Sequence, residues 1–253
     1  MKNLLVAVLF AVPELACAQA LLEFRGDHAF PKDAIEAAAE RNYRTRLRSL
    51  SRDGRLDADH ALLSRLRNLL EGLERAARIE NPGGILIGWE LHTCRRCDET
   101  ASSMAGGRLL IGEEFVAKFG FTDSELAYLL AHEMAHVLAK HTREFASIAR
   151  YIVDNGRNRR FEDIQRELDE NYIVNLRMSD FYARQELEAD YIGFVLGARS
   201  GHDPEAMLGM LKKLHREPAG AFSTHPSEEA RIQRASSMLQ TAYRIRELGN
   251  APR

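Results

Sequence analysis

The chain has 253 residues, 45% apolar and 28% charged, with 35 Lys+Arg against 37 Asp+Glu. These are the values of a globular domain with a real core, and they exclude a disordered chain, a collagen or a coiled-coil rod. A net charge of −2 lacks the basic excess of a nucleic-acid binder, and three cysteines are too few for a disulfide-dense scaffold.

Lys2 is followed by the apolar run Leu4–Val12 and then by Ala16-Cys17-Ala18. The run is far shorter than the roughly 20 residues that span a bilayer. It has the size of a signal-peptide core, with a small-x-small cleavage site behind it. The sequence therefore predicts a signal peptide over 1–18 and an exported mature chain from 19 with no transmembrane helix. Lipidation at Cys17 is the lesser alternative, because Glu14 stands where a lipobox wants an aliphatic residue.

Residues 31–50 read as a helix opened by Pro31, with Ala34, Ile35, Ala38 and Ala39 inside it. Residues 57–79 read as an amphipathic helix, because Leu62, Leu63, Leu66, Leu69, Leu70 and Leu73 recur at helical spacing. The arginines between 41 and 52 mix with Glu36, Glu40 and Asp53 and read as a solvated face. Asn81-Pro82-Gly83-Gly84 is a turn, Ile85–Leu91 a strand, and Arg108–Ile111, after Gly106-Gly107, a second strand. Between them lie Cys94 and Cys97. In an oxidising compartment the pair reads as a disulfide that pins a loop; a zinc ribbon would need a second CxxC. A redox-active pair is the weaker reading, since no helix opens there. Nearly everything after 111 reads as helix, with no internal repeat. The expected fold is α+β and mostly α-helical: one domain over 19–253, with N-terminal helices at 19–80 and a core at 81–253 that holds a small β-sheet.

Thr122-Asp123-Ser124-Glu125 has the form of a capping box and opens a helix to about Lys140. That helix is apolar nearly all round, through Leu126, Leu129, Leu130, Ala131, Met134, Ala135, Val137 and Leu138, so it belongs in a core. His132, Glu133 and His136 stand in its middle. Burying them is costly unless they are paired or bound to a metal. His132 and His136 share a face and can hold one zinc ion, and Glu133 flanks that ion where a general base belongs. A catalytic zinc needs a third protein ligand. Phe181–Arg199 reads as a helix carrying Glu186-Leu187-Glu188-Ala189-Asp190. Glu186 and Asp190 share a face, continued by Gly193 and Gly197, which admit a neighbouring helix. Glu188 falls about 200° round from Glu186. Glu186 is thus the candidate third ligand, and Asp190 the group that accepts the other N–H of a ligand histidine.

His132-Glu133-Met134-Ala135-His136-Val137-Leu138-Ala139-Lys140-His141, then Glu186-x-x-Ala189-Asp190, then Thr224-His225-Pro226 with Arg231-Ile232, resembles the HtpX and CAAX-prenyl-protease family of zinc metallopeptidases. The exported, soluble branch with BepA-like and LoiP-like periplasmic proteases is the most similar in pattern, and this implies a periplasmic location. The resemblance runs from about Leu56 to Leu239. It implies a zincin-like domain with a small sheet beside the His-Glu-x-x-His helix, and one zinc per chain held by His132, His136 and Glu186. It further implies Glu133 as catalytic base, Asp190 behind a ligand, His225 near the cleft as a cap on the metal or a substrate contact, and Arg231 as a polarising or bracing group. His141 matches a common histidine of the family and can also be read as a helix cap. The implied activity is endoproteolysis of unfolded or misassembled chains bound in extended form along the edge near Arg108–Ile111. Quality control of envelope proteins and association with envelope assembly machinery go with it. A zinc-stabilised chaperone and an exopeptidase are the alternatives. The stretch Thr100–Gly107 and Tyr182-Ala183 depart from the family pattern, which bears on substrate contacts rather than on the metal.

Overall fold

The computed structural model describes residues 30–82, 86–215 and 228–250. The expected signal peptide, Cys17, Ile85 and His225 lie outside these residues. Among the described residues the chain is mostly helical, with a three-stranded sheet.

Helix α1 (Lys32–Arg52) follows Pro31 and buries Ile35, Ala38, Ala39, Tyr43, Leu47 and Leu50 at three- and four-residue steps. It stops before Gly54, whose φ of +65° a side-chain-bearing residue would resist. Helix α2 (His60–Glu80) opens on Asp59, whose Oδ1 accepts from the Leu62 amide at 2.9 Å. Its leucine stripe enters the main core, where Leu66 and Leu73 are fully buried. Burial of each is worth about 1.5–3 kcal/mol.

The sheet comprises β1 (Glu90–Cys94), β2 (Ala101–Met104) and β3 (Arg108–Gly112). Its order is β1-β3-β2, with β1 parallel and β2 antiparallel to β3. The first strand therefore starts later than the expected Ile85–Leu91, because its register is set by pairing Glu90 with Arg108 through Cys94 with Gly112. Strand β2 falls in the stretch of family departures. It turns into β3 through Gly106 and Gly107, both at φ near +85°. The loop from β1 to β2 crosses over the end of β3. There a Cβ on Gly112 would stand 1.9 Å from the Glu99 carbonyl oxygen, so only glycine lets the loop pass. Cys94, the last residue of β1, and Cys97 in this loop are joined by a disulfide.

Helix α3 (Glu113–Phe119) leads through Gly120, in the left-handed region, to α4 (Asp123–Leu138). The capping box is formed: the Thr122 hydroxyl accepts from the Glu125 amide, and Glu125 accepts from the Thr122 amide at 2.8 Å. The expected single helix to Lys140 breaks at its end. Lys140 adopts φ +61°, and α5 (His141–Ile152) starts afresh. Helix α6 (Phe161–Glu170) precedes the 28-residue α7 (Tyr172–Arg199). The long helix begins nine residues before the expected Phe181, because the Asn171 side chain accepts from the Ile173 and Val174 amides. Helices α8 (Pro204–Leu214) and α9 (Glu228–Asn250) complete the described chain.

Helices α2, α4, the second half of α7, α8 and α9 share the main core with β3. The small residues of α7 set the spacing. A Cβ on Gly193 would meet the His132 amide nitrogen at 3.1 Å, and one on Gly197 would meet Met207 Sδ at 2.3 Å. A smaller cluster joins α1, α5, α6 and the first half of α7 through Ile35, Phe145, Phe161, Ile164 and Phe181.

Candidate metal centre

Helix α4 supplies His132, Glu133 and His136, and α7 supplies Glu186 and Asp190. Close packing at Gly193 brings the two helices together at His132. One ligand atom each from His132, His136 and Glu186 lies within 4.8 Å of the others. The two imidazole Nε2 atoms stand 3.2 Å apart. His132 Nε2 is 3.3 Å from Glu186 Oε2, and His136 Nε2 is 3.4 Å from Glu186 Oε1.

Two imidazoles face each other over one carboxylate, and once their protons have left the facing nitrogens they form a set of electron-pair donors with a single focus. The set has the composition of a cation site with His and carboxylate ligands. His132 and Glu186 are buried, and His136 is half-buried. Glu133 is also half-buried, and with His132, Tyr128, Thr100, Ala101 and Arg231 it lines a cleft against β2. On the other side of His136 a cavity of about 260 Å³ is walled by Ile35, Ile87, Ala105, Val137 and Leu138, with Lys140 and Arg143 at its rim.

Asp190 backs His132. Its Oδ1 lies 3.0 Å from His132 Nδ1, off the line of a well-formed hydrogen bond. It accepts from Tyr128 Oη at 2.7 Å and, through both oxygens, from the Arg231 guanidinium at 2.7 Å each. Burial alone would raise the Asp190 carboxyl pKa. The Arg231 pair and His132 overcome that and hold it well below the usual range. Burial likewise works against the imidazolium of His132, yet Asp190 and Glu186 together hold its pKa up to about 10. Arg231 also reaches Glu186 at 3.6 Å, so it grips both carboxylates from α9.

Sequence reasoning missed three participants. Tyr128 stands one turn before His132, and its hydroxyl was hidden among apolar neighbours on α4. Glu188 points away from Glu186, as its helical position requires, and meets His141 at 3.4 Å. Gln185 donates to the His141 carbonyl at 3.1 Å and to Glu144 at 3.0 Å. The structure corrects one expectation about the cleft. Strand β3 is central and paired on both sides, so Arg108–Ile111 offers no edge; the outer strands are β1 and β2, and it is β2, Ala101–Met104, that contributes Ala101 to the cleft.

Fold and site together define a zincin-like metallopeptidase domain. The sequence profile of Peptidase family M48 matches residues 101–239. The chain belongs to this family. It is similar to the mitochondrial metalloendopeptidase OMA1 of Schizosaccharomyces pombe, with 31% identity over 171 residues covering 64% of this chain and 50% of the relative. It is similar also to OMA1 of Saccharomyces cerevisiae, 29% over 216 residues, covering 76% and 60%. For OMA1 of Homo sapiens the identity is 27% over 196 residues, covering 68% and 36%. The chain thus spans between about a third and three fifths of the length of these relatives.

These relatives are mitochondrial by name, and this overturns the periplasmic location and the placement in a periplasmic branch. The expectation rested on a short apolar run and a small-x-small site outside the described residues. Such a run fixes no compartment by its physics alone. The association with envelope assembly machinery loses its ground with it. Among the described residues no helix is long and apolar enough to cross a membrane.

Proposed function

We propose that this protein is a zinc-dependent endopeptidase that cleaves unfolded or misassembled proteins in protein quality control. The observation that carries the reading is the convergence of His132, His136 and Glu186 within 4.8 Å, beside a cleft that His132 and Glu133 line. The three side chains would hold one zinc, and Glu133 stands one residue from the first of them. When bound, zinc supplies Lewis acidity toward a peptide carbonyl and toward water at neutral pH.

The rest of the chemistry belongs to the chain. Glu133 takes a proton from the attacking water at its carboxylate and hands it to the departing amine. Asp190 orients His132, and Arg231 keeps Asp190 and Glu186 in place. The outer edge of β2 receives the substrate as an added strand, a mode that requires an extended, unpaired backbone and so selects unfolded segments. The cavity beside His136 takes an apolar substrate side chain between Ile35, Ile87, Val137 and Leu138.

The test compares wild type with Glu133→Gln on an unfolded protein and on a peptide blocked at both ends. Cleavage in wild type should fall by about 10²–10⁴-fold in the variant, with metal content unchanged. Equal cleavage by both proteins would refute the role of Glu133. Protection of an unfolded client by both, without cleavage, would favour the chaperone alternative.

A further inference from the structure

The break between α4 and α5 places a second buried histidine against the metal centre. In a continuous helix His141, five residues after His136, would point about 140° away from it. Lys140 instead takes the left-handed conformation at φ +61°, rare for a residue with a side chain, and re-aims the chain. His141 Nδ1 then lies 2.9 Å from His136 Nδ1. His141 is 3% exposed, and its Nε2 is 3.4 Å from Glu188 Oε2. Gln185 holds the backbone at this corner by donating to the His141 carbonyl.

A contact between two ring nitrogens at this distance holds one proton. If His136 Nδ1 carries it, His141 Nδ1 accepts, the His141 proton sits on Nε2, and that N–H faces the Glu188 carboxylate. Every group in the chain then meets a partner of the right kind, and His136 Nε2 presents its lone pair toward His132 and Glu186. In the reverse arrangement, with both rings neutral, the lone pair of His141 Nε2 would face the Glu188 carboxylate, and the His136 proton would occupy the focus of the ligand set. The negative charge of Glu188 selects the first arrangement.

We infer that His141 is a positioning residue that fixes His136 in the tautomer whose Nε2 binds the metal, with Glu188 ending the proton chain. This rests on the metal-centre reading above. It gives the helix break a chemical purpose, and it gives the third carboxylate of α7 a partner of its own. Asp190 serves the first histidine and Glu188, through His141, serves the second.

The test titrates the metal-free full chain with Zn²⁺ in competition with a fluorescent chelator, for wild type, His141→Ala and His141→Asn. It also records ¹⁵N imidazole shifts of the zinc-loaded proteins. His141→Ala should bind zinc about 10–100-fold more weakly. His141→Asn, whose amide oxygen can accept from His136 Nδ1–H, should stay close to wild type, and it keeps the test decisive if the alanine variant does not fold. In wild type the shifts should show His136 protonated at Nδ1 and coordinated through Nε2. Coordination through Nδ1, an asparagine variant with an affinity as low as the alanine one, or wild-type affinity in His141→Ala would overturn the inference alone. Failure of wild type itself to bind zinc would overturn the metal-centre reading and this inference with it.

Discussion

His132 and His136 stand one turn apart on one helix, yet the regions behind them differ in depth and in charge. Behind His132 lies the main core. Asp190 is 2% exposed there and held by the two nitrogens of Arg231 and by Tyr128, each at 2.7 Å. Behind His136 lies a helix break, a second imidazole and a carboxylate at 3.4 Å whose side chain is 25% exposed. The first backing is a buried ion pair that ties α9 to α7 and α4. The second is a short chain of hydrogen bonds that ends near solvent. The contrast teaches that one centre is held by two kinds of support: one whose loss strands buried charges in the core, and one that ends near solvent and orients a ring.

The largest effect should come from removing the buried cation. Arg231→Ala leaves Asp190 and Glu186 buried without their common partner, and breaking such a pair costs about 3–5 kcal/mol. Thermal melts of the metal-free protein should show a fall in Tm of roughly 10 °C or more. Glu188→Ala, on the more exposed side, should cost less than about 1 kcal/mol in the same melts. Equal losses for the two variants would erase the distinction between the regions.

A smaller effect concerns acid. The Asp190 carboxyl is depressed in the folded protein, by the Arg231 pair and His132 acting against its burial. Its contribution to stability is therefore complete above the ordinary value of 3.8 and is lost as pH falls through the lower folded value. Metal-free wild type should lose stability below about pH 4, whereas Asp190→Asn should show a flatter acid limb. Parallel acid limbs would mean that Asp190 is not held in its charged form by this pair.

The legible part of the molecule was the part written in local spacing. Two histidines four apart, a capping box at Thr122 and a leucine stripe at 62–73 specify helices and one face of each, whatever packs on them. The carboxylates of α7 were legible for the same reason. What escaped depends on contacts between distant segments. Strand β2 reads Ala-Ser-Ser-Met, with no alternation to betray it, and exists through its pairing with β3. The start of β1 is a matter of register against Arg108–Gly112. The break at Lys140 carries neither glycine nor proline, so nothing local announces it. Because the break was hidden, so was the meeting of His141 with His136, and with it the purpose of Glu188. The location failed for a different reason, since a short apolar run does not name a compartment.

The central claim is that His132, His136 and Glu186 hold one metal ion. It is tested most directly by the zinc stoichiometry of purified protein after exhaustive dialysis, measured by atomic emission for wild type and Glu186→Ala. The account predicts close to one zinc per chain in wild type and a large loss in the variant, since a site reduced from three ligands to two retains the ion poorly. Wild type without stoichiometric zinc, or a variant that keeps all of it, would contradict the account.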